Sequence, residues 1–158
     1  MSTKKLVQVR ARTPVRIDLA GGTLDIWPIY LLLKNPKTIN LGIDLFAEAD
    51  LELKPRPKRA KDGGKITLTA KDQAVTLTFP WADLKTVTLP SALALHGRLL
   101  KYFSERTKKD WTTHDVSLTT FAQSLSGAGL GGSSALAVAI MGVLACAFLR
   151  LSATRVQK

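Results

Sequence analysis

The sequence predicts an α+β domain, on three observations: strand patterns crowd its first two thirds, a charge-free apolar run nearly closes it, and a glycine-rich loop separates the last strand from that run. Strands bunched ahead of helices do not fit the regular strand–helix alternation of a parallel α/β sheet. No internal repeat and no long low-complexity segment is present.

Val7, Val9 and Ala11 alternate with Gln8, Arg10 and Arg12, which predicts a half-buried strand. Val15, Ile17 and Leu19 repeat the pattern after Pro14 as a second short strand, which ends at the paired glycines Gly21 and Gly22. Ile43, Leu45, Ala47, Ala49, Leu51 and Leu53 form the longest period-two run of the chain. Asp62-Gly63-Gly64 predicts a turn. Ile66, Leu68 and Ala70, then Val75, Leu77 and Phe79, predict a hairpin closed by residues 71–74. Pro90-Ser91 opens a helix with Ala92, Leu95, Leu99 and Tyr102 or Phe103 on one face, weakened modestly by Gly97. Val116, Leu118 and Thr120 mark the last strand, and Ser133 or Ser134 is expected to cap a helix that runs to Leu149.

At 158 residues and 46% hydrophobic, the chain suffices for one globular domain with a core. Its one cysteine, Cys146, excludes an internal disulfide and reads as a small core residue, so a reducing cytoplasm is the expected compartment. The basic N-terminus has no apolar stretch of export-signal length behind it. Residues 116–149 carry no charge, but a membrane span needs roughly 20 apolar residues and the front of this run is glycine and serine. A core helix is expected there, and no membrane. The formal charge of +11 suits polyanionic or phosphorylated partners. Its one dense cluster, Lys54, Arg56, Lys58, Arg59, Lys61 and Lys65, reads as a solvated turn between strands. His96 and His114 stand apart with no metal-ligand spacing and receive no role.

Residues 126–135, SGAGLGGSSA, set flexible backbone against a helix start. The first helical turn has N–H groups without internal partners and about half a positive charge, so glycines ahead of it suit a phosphate. A Walker loop requires a lysine after its last glycine, where this chain has Ser133. A dinucleotide fingerprint is formally matched by Gly127, Gly129 and Gly132, yet no acid follows Asp115. Close helix packing alone remains the plain alternative.

The stretch 126–135 resembles the ATP motif of the GHMP kinases, the galactose, homoserine, mevalonate and phosphomevalonate kinases, though Leu125-Ser126 replaces frequent prolines and Gly132 stands where serine is common. Residues 13–25, TPVRIDLAGGTLD, resemble the family's N-terminal motif in its heptose-phosphate kinase branch, with matching Arg16-to-Asp25 spacing. The resemblance implies a mixed sheet with helices on one face, a fold shared with a domain of a small-subunit ribosomal protein. It implies that 1–158 is the N-terminal ATP-binding domain, that a ferredoxin-like C-terminal domain is missing from this sequence, and that ATP and Mg²⁺ serve phosphorylation of a sugar or sugar phosphate. By the same resemblance Gly127, Gly129, Leu130, Gly131, Gly132, Ser133 and Ser134 would hold the triphosphate, with Ser134 in the Mg²⁺ shell and Ser133 a close second. Gly21, Gly22 and Asp25 would meet the sugar; Arg16 would meet substrate or a catalytic carboxylate, a strand ion pair being the equal alternative. Trp27 is expected as a buried loop aromatic. The family's catalytic aspartate and acidic Mg²⁺ ligand come from beyond the ATP loop and are not assigned. The rival readings are a nucleotide-binding half without turnover and, given the charge, a basic RNA-binding module; an aromatic content of 6% without a paired stacking motif argues against RNA.

Overall fold

A computed structural model describes residues 6–24, 26–56, 63–107, 110–125 and 127–149. Period-two segments form β1 (Val7–Ala20), β2 (Ile39–Pro55), β3 (Lys65–Ala70), β4 (Val75–Pro80) and β5 (His114–Ala122). Two helices, α1 (Ser91–Glu105) and α2 (Gly132–Phe148), complete the domain. The strands join in the order β1-β2-β5-β3-β4, antiparallel except for the parallel β3–β5 pair. The sheet is therefore mixed. Both helices lie on one face: α2 over β1 and β2, α1 against α2 and β3.

Alternation decides which face is which. Ala47, Ala49, Leu51 and Leu53 of β2, Ile66, Leu68 and Ala70 of β3, and Val116 and Leu118 of β5 are buried under the helices. The opposite face is polar. Arg10 pairs with Asp50, Arg12 approaches Glu48 at 3.5 Å and stacks over the Phe46 ring, and Thr67 hydrogen-bonds Thr78 at 3.0 Å. No helix of the described residues is long and apolar enough to cross a membrane; the charge-free run divides into most of β5, the glycine loop and the 17-residue α2.

Several expectations are corrected. The two short strands before Gly21 are one 14-residue strand, since Pro14 on the edge strand β1 removes no donor the sheet needs. The buried face of α1 is Leu93, His96, Gly97, Leu100 and Phe103, one position on from the predicted stripe; Leu95 and Leu99 lie partly buried and Tyr102 is exposed. Gly97 is a packing site, because the Leu89 side chain fills the place of its missing Cβ. Trp27 is 71% exposed, not buried. The hairpin is as expected, its turn a 3-10 segment over Lys71–Gln73. Within the basic cluster, Arg56 donates to the Gly63 carbonyl and lies 3.6 Å from Asp115, while residues 57–62 fall outside the described residues.

His96 explains the rotation of α1. Its Nε2 lies 2.7 Å from Thr120 Oγ1, and that hydroxyl donates onward to the Thr69 carbonyl at 3.4 Å, so the imidazole carries its proton on Nε2. Burial drives the group down to about 4 from 6.5, with the Asp72 carboxylate pulling the other way. Because the folded form resists a proton that the unfolded chain accepts, this contribution to stability is complete above pH 6.5 and erodes as pH falls toward 4. Denaturant titrations should show a loss of about 1 kcal/mol per pH unit across that window. A His96→Leu chain should show a shallower slope, whatever its absolute stability.

Candidate functional site

The glycine loop begins where β5 is pinned to β2. The Gln123 N–H donates to the Phe46 carbonyl at 2.9 Å, and its side-chain carbonyl accepts from the Phe46 N–H at 2.8 Å. A turn follows, the Ala128 N–H reaching the Leu125 carbonyl at 3.3 Å. Gly127, Gly129 and Gly131 hold φ of +81°, +71° and +64°, a left-handed backbone that side-chain-bearing residues rarely adopt. No heavy atom lies within 4 Å of where a Cβ would stand on Gly127 or Gly129, so the loop backbone faces open space. Leu130 turns inward, onto a small apolar cluster with Val15, Ala47 and Ala135.

Gly131 is the residue that caps α2, and the Ala135 N–H is bonded to its carbonyl at 2.9 Å. The amides of Gly132, Ser133 and Ser134 therefore lie in the first turn, where a helix supplies no acceptor. The expected cap by Ser133 or Ser134 is corrected: neither side chain caps the helix, and both are exposed. The reason is geometric, because the chain enters the helix through a left-handed glycine and both serines already lie inside it. Their hydroxyls instead line a cavity of about 240 Å³ with Gly127, Gly129, Gly131 and Gly132. Ser124 also lines it, and its Oγ occupies the space a Cβ on Gly132 would need. Ser126 falls outside the described residues.

The N-terminal motif reaches this loop through a break in the β1–β2 ladder. Pro14 pairs with Phe46 and Arg16 with Gly42, so Val15 stands opposite the three residues Ile43, Asp44 and Leu45. Val15 is buried, and the Arg16 N–H donates to the Leu130 carbonyl at 3.2 Å. The Arg16 side chain passes Gly131, its Cγ 3.6 Å from where a Cβ would stand there. Its Nε lies 3.3 Å from Asp18 Oδ1, so the strand ion pair is formed. The Asp18 carboxylate also closes over Gly22, where a Cβ would come within 2.7 Å of Oδ2. At Gly21, with φ +73°, a Cβ would strike the Lys37 carbonyl. Asp25 falls outside the described residues.

Asp72 belongs to neither sequence motif. It lines the same cavity from the turn between β3 and β4, and its Oδ1 accepts from the Ala122 N–H at 3.3 Å. Parallel pairing of Ala70 with Thr120 brings that turn beside the end of β5, and no local sequence signal announces it. Among the described residues no three His, Cys, Asp or Glu side chains gather into a metal-holding group. The cavity thus offers helix-entrance amides and serine hydroxyls at the loop, and one carboxylate in its wall. Open glycine backbone beside amides without helical acceptors fits the phosphates of a nucleotide.

Fold and cavity together define a mixed-sheet domain with a glycine-loop cleft at a helix entrance, and known proteins share that fold. The D-glycero-D-manno-heptose 1-phosphate kinase of Bacteroides thetaiotaomicron superposes with a TM-score of 0.64 at 22% identity, covering 92% of this chain and 43% of that one. The mevalonate kinase of Methanococcus jannaschii gives 0.61 at 16%, covering 93% and 42%. The galactokinase of Lactococcus lactis gives 0.61 at 15%, covering 97% and 35%. The chain therefore shares the fold of the matching parts of these kinases. In sequence it is 33% identical over 151 residues to the L-fucokinase/L-fucose-1-P guanylyltransferase of Bacteroides fragilis, covering 86% of this chain and 15% of that protein. The chain spans less than half the length of each of these relatives. No protein-family model matches it.

Gly131→Ala tests the loop. Its Cβ meets Arg16 at an ordinary contact distance, so the cost is that of a left-handed alanine, about 1 kcal/mol, read as a lowered denaturation midpoint.

Proposed function

We propose that the chain is the nucleotide-binding part of a sugar or sugar-phosphate kinase, transferring a phosphoryl group from Mg²⁺-ATP to a substrate hydroxyl or phosphate. One observation carries this reading: the two motifs, far apart in sequence, meet where the Arg16 N–H bonds the Leu130 carbonyl beside the loop cavity. Phosphoryl transfer asks the protein mainly for positioning and for neutralisation of charge on the transferring group.

The amides of Gly132, Ser133 and Ser134, with the backbone of Gly127, Gly129, Leu130 and Gly131, hold the phosphates. The Ser134 hydroxyl, or that of Ser133, enters the shell of a Mg²⁺ ion, which neutralises the phosphate oxygens when bound. Gly21 and Gly22 shape the neighbouring turn, and Asp25 accepts from sugar hydroxyls. Arg16, held between Asp18 and Gly131, sets the distance between the sugar turn and the phosphate loop. The names of the relatives support a sugar as the phosphoryl acceptor. The open sheet face speaks against RNA, since its arginines Arg10 and Arg12 are matched by Asp50 and Glu48.

Calorimetry with a non-hydrolysable ATP analogue, with and without Mg²⁺, tests the reading. The chain should bind the analogue, and Ser134→Ala should remove most of the Mg²⁺-dependent gain in affinity while leaving Mg²⁺-free binding unchanged. Steeply salt-dependent RNA binding without nucleotide affinity would overturn the proposal.

A further inference from the structure

The loop cavity is electrically two-ended. Its amides and hydroxyls sit at the α2 entrance, whereas Asp72 is the one ionisable side chain among the described lining residues. That carboxylate is held in place: the 3-10 turn Lys71–Gln73 carries it, and the Ala122 N–H fixes Oδ1 at 3.3 Å. A carboxylate repels phosphate, so the two ends of the cavity suit opposite ends of one ligand. The phosphates belong at the amides. What faces Asp72 must donate hydrogen bonds, and a nucleoside does so from its ribose hydroxyls or from the exocyclic amine of its base.

We infer that Asp72 accepts a hydrogen bond from the nucleoside end of the nucleotide, which makes the cavity select a nucleotide over a bare polyphosphate. The inference rests on the nucleotide-binding reading and deepens it. It gives the turn between β3 and β4 a recognition role that neither motif carries.

The test is calorimetry on the chain in a metal chelator, with ADP, 2′,3′-dideoxy-ADP, GDP and inorganic tripolyphosphate as probes. Asp72→Asn keeps an oxygen for the Ala122 N–H and replaces the second oxygen by a donating amide, so donor would meet donor. ADP affinity should fall by about tenfold or more, the loss expected for a hydrogen bond to a charged group. Tripolyphosphate affinity should stay unchanged, which also shows that the variant keeps its loop. Weak binding of dideoxy-ADP by the unsubstituted chain assigns the contact to the ribose, and weak binding of GDP assigns it to the base amine. Unchanged ADP affinity in Asp72→Asn overturns the inference alone. So does an equal change for ADP and tripolyphosphate, or a loss that arises only when Mg²⁺ is restored, which would make Asp72 a cation ligand. An unsubstituted chain that binds neither ADP nor tripolyphosphate overturns the nucleotide-site reading along with it.

Discussion

One backbone hydrogen bond, from the Arg16 N–H to the Leu130 carbonyl, organises the site. It exists because the β1–β2 ladder is interrupted there, with Val15 facing three residues of β2. In an unbroken ladder that region of β1 would address only its neighbouring strand. The interruption lets Val15 drop into the cluster beneath Leu130 and Ala135 and points the next amide at the glycine loop. A bond of this kind adds only about 0.5–1.5 kcal/mol to stability. Its larger effect is positional: it sets an edge strand and a helix entrance at a fixed separation.

The strands were legible in the sequence because the sheet has one dry face and one wet face, and side chains of a strand alternate between them. Ala47 to Leu53 and Ile66 to Ala70 obey that rule, and so they could be read directly. The buried face of α1 could not be, because two overlapping apolar stripes compete and the winning one includes a histidine. Buried His96 donates its Nε2–H to the Thr120 hydroxyl of β5, a partner set by tertiary packing and not by spacing along the helix. Asp72 was hidden for a related reason. A parallel pairing between β3 and β5 makes neighbours of two strand ends that the sequence keeps well apart. The glycine loop was legible as flexible backbone before a helix, but its manner of capping was not, since a left-handed glycine and a serine cap give similar sequence signals.

Charge is distributed in a way the net value conceals. The chain is strongly basic overall, yet the open face of the sheet is balanced across β1 and β2, and the loop cavity has no basic side chain among its described lining residues. Under the proposed function, anion affinity at this site would have to come from backbone dipoles. Such dipoles are fixed by the fold, need no rotamer ordering, and resist removal by side-chain substitution.

Gly132 and Ser124 occupy what is in effect one side-chain volume, the serine hydroxyl standing where the glycine has no carbon. A bulkier residue at this first helical position would require the Ser124 hydroxyl to turn away. The two positions are thus coupled: a side chain added at Gly132 must be matched by a turned or smaller residue at Ser124.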